Sequence, residues 1–176
     1  LLLILAITFL ILLSFFSYFS FDHVKKRIDN FLDPTGDTYQ IDMSIKAFKS
    51  GGFFGKGPGQ GILKEKIPDA HTDFIFAVAG EELGFVVCSI IVLLILILII
   101  RLLISLLKIE EPDIIISIVG LTSCYGLQTL INIFSSLGAI PTKGTTLPLI
   151  SYGGSSMLSS AILFGFLLSL TRKRKK

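Results

Sequence analysis

Four apolar runs divide the chain, and the polar stretches between them are unequal. The runs cover residues 1–19, 74–107, 114–137 and 157–170. A hydrocarbon core takes about 20 helical residues to cross, so each run reads as a membrane helix, the fourth starting a few residues early. The second run is too long for one straight crossing. Its charge-free part, Leu83 to Ile100, marks the span, with Arg101 and Lys108 at its far end. The expected architecture is all-α, a polytopic membrane helix bundle forming one membrane domain. A long loop at residues 20–73, a second loop at 138–156 and a tail at 171–176 complete it. Four crossings put both loops on the same face of the membrane.

The long loop has its own pattern. Its charges alternate in sign, from Asp22, Lys25 and Lys26 through to Lys46 and Lys49. Asp37-Thr38-Tyr39-Gln40 resembles a capping-box start, Ile41, Ile45 and Phe48 recur at helical spacing, and Gly51-Gly52 ends the run. This predicts an amphipathic helix over 38–50, on the membrane surface or against the bundle. The stretch Gly51 to Gly61 then invites a phosphate-loop reading, which fails. Lys56 is followed by Gly57 where Ser or Thr is required, and no strand precedes it. A flexible loop with positive-φ glycines accounts for it locally. A weaker version keeps Lys56 as a contact for a phosphate-bearing ligand.

Composition agrees with the pattern. Hydrophobic residues make up 52% and charged residues 16%, the latter against about 25% in soluble domains. Mean hydropathy is +0.79. The net charge of +3 is concentrated in Arg172 to Lys176, a tail suited to anionic lipid at a cytoplasmic surface rather than to nucleic acid. Cys88 and Cys124 lie in apolar runs and imply no disulfide. Leu1 already stands inside an apolar run without a basic flank, so the expectation is a C-terminal piece of a longer protein. Lysine and arginine counts leave the orientation open, because most of the cations on one side lie in a long loop.

The chemistry gathers where the long loop enters the second run. In Pro68 to Gly84, PDAHTDFIFAVAGEELG, Asp69, His71 and Asp73 alternate just ahead of Phe74. A carboxylate between water and hydrocarbon is partly desolvated, which raises its pKa and makes it a stronger base. Asp73, nearest the apolar run, is the best candidate; solvated residues at a helix start are the plainer alternative. Glu81 and Glu82 carry acid groups further in, where function is the default hypothesis. Gln128 and Asn132 share one face of the third run, for an interhelical hydrogen bond or a groove lining. The 138–156 loop is too broken by Pro and Gly for continuous helix and too apolar for free solution. It therefore reads as re-entrant, with Lys143 its only charge.

These blocks resemble the SEDS family of peptidoglycan glycosyltransferases, polytopic proteins of bacterial growth and division. The residues that carry the resemblance are PDAHTDFIFAVAGEELG, the upstream FLDPTGDTYQ and GGFFGKG, and PTKGTTLPLISYGGSS downstream. PTKG before LPLISYGGSS is closer to the division branch than to the elongation branch. The resemblance implies ten helices, of which these would be the last four, and it turns both loops outward. A fragment without the N-terminal helices is not expected to catalyse. It also implies lipid II as substrate, the bacterial cytoplasmic membrane at the division septum as location, and a class B penicillin-binding protein with other division proteins as partners. Asp73 falls on the essential catalytic Asp. Lys143 matches an important Lys of the division branch, and its placing near the pyrophosphate is inference. His71, Lys56 and Ser155 complete the substrate-binding candidates, with His71 equally suited to a helix-start role. No metal ligands are identified; the charge of the leaving group leaves a divalent cation open. A transporter of lipid-linked precursor and a non-catalytic division scaffold are the competing functions.

Overall fold

The computed structural model describes residues 2–32, 39–107, 109–141 and 144–172. Among them every regular element is helical. Two compact units divide the chain, Leu1–Tyr39 and Gln40–Lys176.

The first unit holds α1, Leu2–Ser20, and α2, Asp22–Leu32. In α1 the hydroxyls of Thr8 and Ser14 turn back onto carbonyls of the preceding turn, at 3.0 and 2.8 Å. This satisfies them in an otherwise apolar helix. The sequence pattern missed α2, because the alternating charges drew attention from Val24, Ile28 and Phe31. Those three lie on one half-buried face, while Asp22, Lys25, Lys26 and Asp29 are exposed. Tyr18 donates to Asp29 at 3.0 Å and ties the two helices together.

The second unit contains all but the first residue of α3, Tyr39–Gly51, a 3₁₀ turn at Leu63–Glu65, α4, Ile75–Leu106, α5, Pro112–Ser136, and α6, Gly154–Thr171. Helices α4, α5 and α6 are long and apolar enough to cross a membrane. Their outward side chains, among them Leu93, Leu94, Ile97, Leu158 and Leu168, are exposed hydrophobics that suit lipid. Small polar residues face inward, as in packed membrane helices: Thr122, Thr129, Asn132 and Ser160 are buried. The proposed capping residues Asp37 and Thr38 lie outside the described residues. The helix they would start buries Ile41, Ser44 and Ala47, and Ser44 donates to the Ser136 carbonyl of α5 at 2.5 Å. One apolar cluster joins Ala47, Ile67, Ala70, Phe74 and Ala77; another joins Phe76, Cys88, Ile133 and Leu147. They lie on either side of the start of α4 and fix its position.

The excess length of the second run is explained by a break. Gly84 interrupts α4 with φ 79° and ψ 179°, a conformation that L side chains rarely adopt. It leaves an outer piece, residues 75–83, and an inner piece, residues 85–106. The interrupted turn would leave backbone groups without partners. The glycine-rich loop supplies them instead. Lys56 and Gly57 donate N–H bonds to the carbonyls of Glu81 and Glu82, at 3.0 and 2.9 Å. Phe85 and Val86 donate to the carbonyls of Gly52 and Phe53, at 2.9 and 3.2 Å. The loop stands in for the missing turn. Its approach is so close that a Cβ on Gly84 would lie 2.3 Å from the Gly55 nitrogen.

The same loop encloses both acids at the break. Glu81 is fully buried and accepts from the N–H groups of Ile62, Leu63 and Lys64, at 3.1, 3.1 and 3.3 Å. Lys56 Nζ reaches it at 3.1 Å. Glu82 takes Lys64 Nζ at 2.7 Å and the Gly59 N–H at 2.8 Å. The sequence marked these acids for function; they pair with two lysines of this chain. Buried carboxylates need such company, because an unpaired one is costly to hold away from water.

Candidate functional site

Asp73 stands on a tight turn at the mouth of α4. The turn forms because the Asp69 carbonyl accepts from the N–H groups of Thr72 and Asp73, at 3.0 and 2.9 Å, and from the Thr72 hydroxyl at 3.1 Å. Asp69 itself holds φ at 54°. The Asp73 carboxyl is half-buried. Loss of water, and then the charge of Asp69, raise its pKa above the ordinary carboxylate value.

The second loop closes over this turn. Gly144 packs so near that a Cβ there would lie 3.2 Å from Asp73 Oδ2. Ser151 is buried and bridges the two segments: its Oγ accepts from the Leu147 N–H at 2.7 Å and donates to the Thr72 carbonyl at 2.5 Å. Tyr152 donates its N–H to the His71 carbonyl at 3.0 Å. The rings of the same two residues lie 5.9 Å apart. From below, α5 offers two amides one turn apart. Asn132 donates to the carbonyls of Asp73, at 2.8 Å, and Thr145. Gln128 donates to the Thr146 carbonyl at 3.2 Å. Thr146 in turn meets Ser156 of α6, with the hydroxyls 2.7 Å apart. The two loops therefore meet, and they meet at Asp73.

The other candidates are placed less uniformly. His71 is exposed beside Tyr152. Ser155 is exposed on the first turn of α6, while its neighbour Ser156 makes the contact to Thr146. Lys56 is held in the ion pair with Glu81 at the other end of the outer α4 piece. Lys143 lies outside the described residues; the chain resumes at Gly144, against Asp73. Sequence reasoning missed Ser151, whose only signal was its place in an apolar, irregular loop. Asn132 and Gln128 were visible as a polar face, but their acceptors are loop carbonyls that no side-chain pattern announces.

Comparison with known proteins resolves what this arrangement belongs to. A family model described as cell cycle protein, covering FtsW, RodA and SpoVE, matches residues 1–176. The chain belongs to this family. Curated relatives carry the name probable peptidoglycan glycosyltransferase FtsW, so the likeness is to the division branch. The one from Caulobacter vibrioides is 46% identical over 159 residues, covering 90% of this chain and 41% of the relative. The one from Aliivibrio salmonicida is 40% identical over 151 residues, 84% of this chain and 38% of the relative. A chain from a solved peptidoglycan synthase complex, described for its coordination of polymerization and crosslinking, superposes with a TM-score of 0.72. It is 26% identical, and the match covers 99% of this chain and 50% of its own length. The chain thus spans about two fifths of the curated relatives it matches. Family membership and the apolar helices together make it a membrane protein.

Proposed function

We propose that this chain supplies the catalytic base of a peptidoglycan glycosyltransferase that polymerises lipid II during septal wall synthesis. The carrying observation is the half-buried Asp73, raised in pKa and covered by the 144–153 loop at the mouth of a membrane helix. A base for a sugar alcohol needs to lie within hydrogen-bond reach of the hydroxyl and to favour proton uptake, and partial desolvation serves the second need. Asp73 takes the proton from the 4-hydroxyl of the acceptor GlcNAc. That oxygen forms a bond to C1 of the donor MurNAc, and the C1–oxygen bond to the lipid pyrophosphate breaks. The electron pair leaves with the pyrophosphate.

The departing charge calls for a cation near it. Lys143 is our candidate, with His71 and Ser155 lining the approach; Lys56, already paired with Glu81, contributes by holding the loop. Among the described residues no three His, Cys, Asp or Glu side chains gather into a metal centre. A divalent cation at the pyrophosphate would supply the same charge compensation. A class B penicillin-binding protein is the proposed partner, in keeping with a neighbour from a synthase complex, and the bacterial cytoplasmic membrane at the septum is the proposed site.

The test is glycan polymer formation from lipid II by protein of the relatives' full length, together with its partner. Asp73→Asn is expected to abolish polymer, by at least about 100-fold given the usual worth of a general base, while lipid II still binds. Polymer at the unaltered rate would remove Asp73 from the chemistry and return the transporter or scaffold reading.

A further inference from the structure

Asn132 is among the largest fully buried side chains of the described residues and lies directly under the site. Its amide nitrogen has two hydrogens, and both are used: one on the Asp73 carbonyl at 2.8 Å, the other on the Thr145 carbonyl. The orientation of the amide follows from its partners, since two carbonyl oxygens can be faced by NH₂ but not by the amide oxygen. One side chain on α5 therefore holds the backbone of Asp73 and the backbone of the covering loop at a fixed separation. Gln128, one turn away, holds the next loop carbonyl, that of Thr146. Among the described residues neither Asn132 Oδ1 nor Thr145 Oγ1, both buried, has a hydrogen-bond partner.

We infer that Asn132 is a positioning residue for the reaction of Asp73, joining the turn that carries the base to the loop that shields it. It acts through two backbone carbonyls rather than through the carboxylate oxygens of Asp73. Removing it frees the Asp73 turn and lets water reach the carboxyl. Among the described residues the titratable groups around Asp73 are few. Asp69 and His71 belong to its own turn, and Tyr152 comes from the covering loop against His71. The α5 face presents the uncharged Asn132 and Gln128. Glu81 and Glu82, at the far end of the outer α4 piece, are paired with Lys56 and Lys64. Loss of shielding therefore moves the Asp73 pKa down toward its ordinary value, and the acid limb of the rate profile moves to lower pH.

The inference rests on the proposed role of Asp73, and the experiment separates the two. Polymerisation by the full-length protein with its partner is measured against pH and lipid II concentration for Asn132→Ala, Asn132→Ser and Gln128→Ala. A misplacement on the order of 1 Å costs about 100-fold. Asn132→Ala is accordingly expected to lower kcat by about ten- to 100-fold, with KM within about threefold and the acid limb displaced downward. Asn132→Ser, which keeps one donor, is expected to lie between Ala and the parent, and decides the matter if the Ala protein does not fold. Gln128→Ala is expected to leave the limb in place. A fall in rate that tracks the folded fraction with the limb unmoved would overturn the inference, as would a KM effect with kcat kept. If Asp73→Asn itself polymerises normally, the base assignment fails first, whatever Asn132 does.

Discussion

Replacing Glu81 by Gln tests whether the buried carboxylate anchors the glycine-rich loop. The amide has almost the same shape but only one oxygen. In the parent, Oε1 accepts from Lys56 Nζ, Ile62 N–H and Leu63 N–H, and Oε2 from Leu63 N–H and Lys64 N–H. Whichever way the amide turns, its NH₂ faces donors. Hydrogen bonds to a charged group contribute about 1.5–3 kcal/mol and neutral ones about 0.5–1.5, so the remaining bonds lose about 1 kcal/mol each. A donor left facing NH₂ adds about 1–3 kcal/mol. Water can reach part of this loop, since Ile62 is 63% exposed, which trims the sum to about 3 kcal/mol. Lys56→Met removes a cation whose side chain is 34% exposed but leaves the buried carboxylate its N–H donors from Ile62, Leu63 and Lys64, so the charge stays compensated and the loss is about 1 kcal/mol. Hydrogen exchange at residues 56, 57 and 62–64 reads the difference directly. At about 1.4 kcal/mol per tenfold, Glu81→Gln is expected to cut protection about 100-fold and Lys56→Met by less than about tenfold. Equal losses in the two variants, or protection kept within about threefold in Glu81→Gln, would refute the anchor.

Two further outcomes follow from the same geometry. Gly84→Ala places a Cβ 2.3 Å from the Gly55 nitrogen and 2.5 Å from the Phe53 oxygen, at φ 79°. Backbone cannot retreat as a side chain can, so a cost of several kcal/mol is expected, about 1–3 from the conformation alone, read as loss of folded protein after detergent extraction. Asp73→Asn is expected to raise thermal stability near neutral pH while abolishing polymer. The folded Asp73 pKa is raised, so the folded state binds the proton more tightly than the unfolded one. The stabilising contribution is full below the unfolded value and is lost as pH rises through the folded value. The difference in melting temperature between the Asp73→Asn variant and the parent should therefore shrink as pH is lowered; a constant difference would contradict the burial argument.

Much of this was legible in the sequence because it is local. Apolar runs locate α4, α5 and α6, the Ile41–Ile45–Phe48 spacing locates α3, and the step from charge to hydrocarbon singles out Asp73. What was hidden is long-range backbone bonding. The excess length of the second run signalled trouble, but only the fold shows Gly84 breaking it and residues 52–57 repairing it. The same holds for Glu81, whose partners lie 17 to 31 positions away, and for Ser151, which reaches 79 positions to Thr72. A glycine-rich segment announces that the backbone comes close to something. It does not say that the something is another backbone.

The interruption at Gly84 separates two design requirements that an unbroken rod would merge. The inner piece can be lengthened, shortened or tilted to match a thicker or thinner bilayer, and each such change in a continuous helix would swing Asp73 about 100° per added residue. Here the outer piece takes its bearings from α3, α5 and the two loops, so the acid keeps its aim while the hydrophobic length is tuned elsewhere.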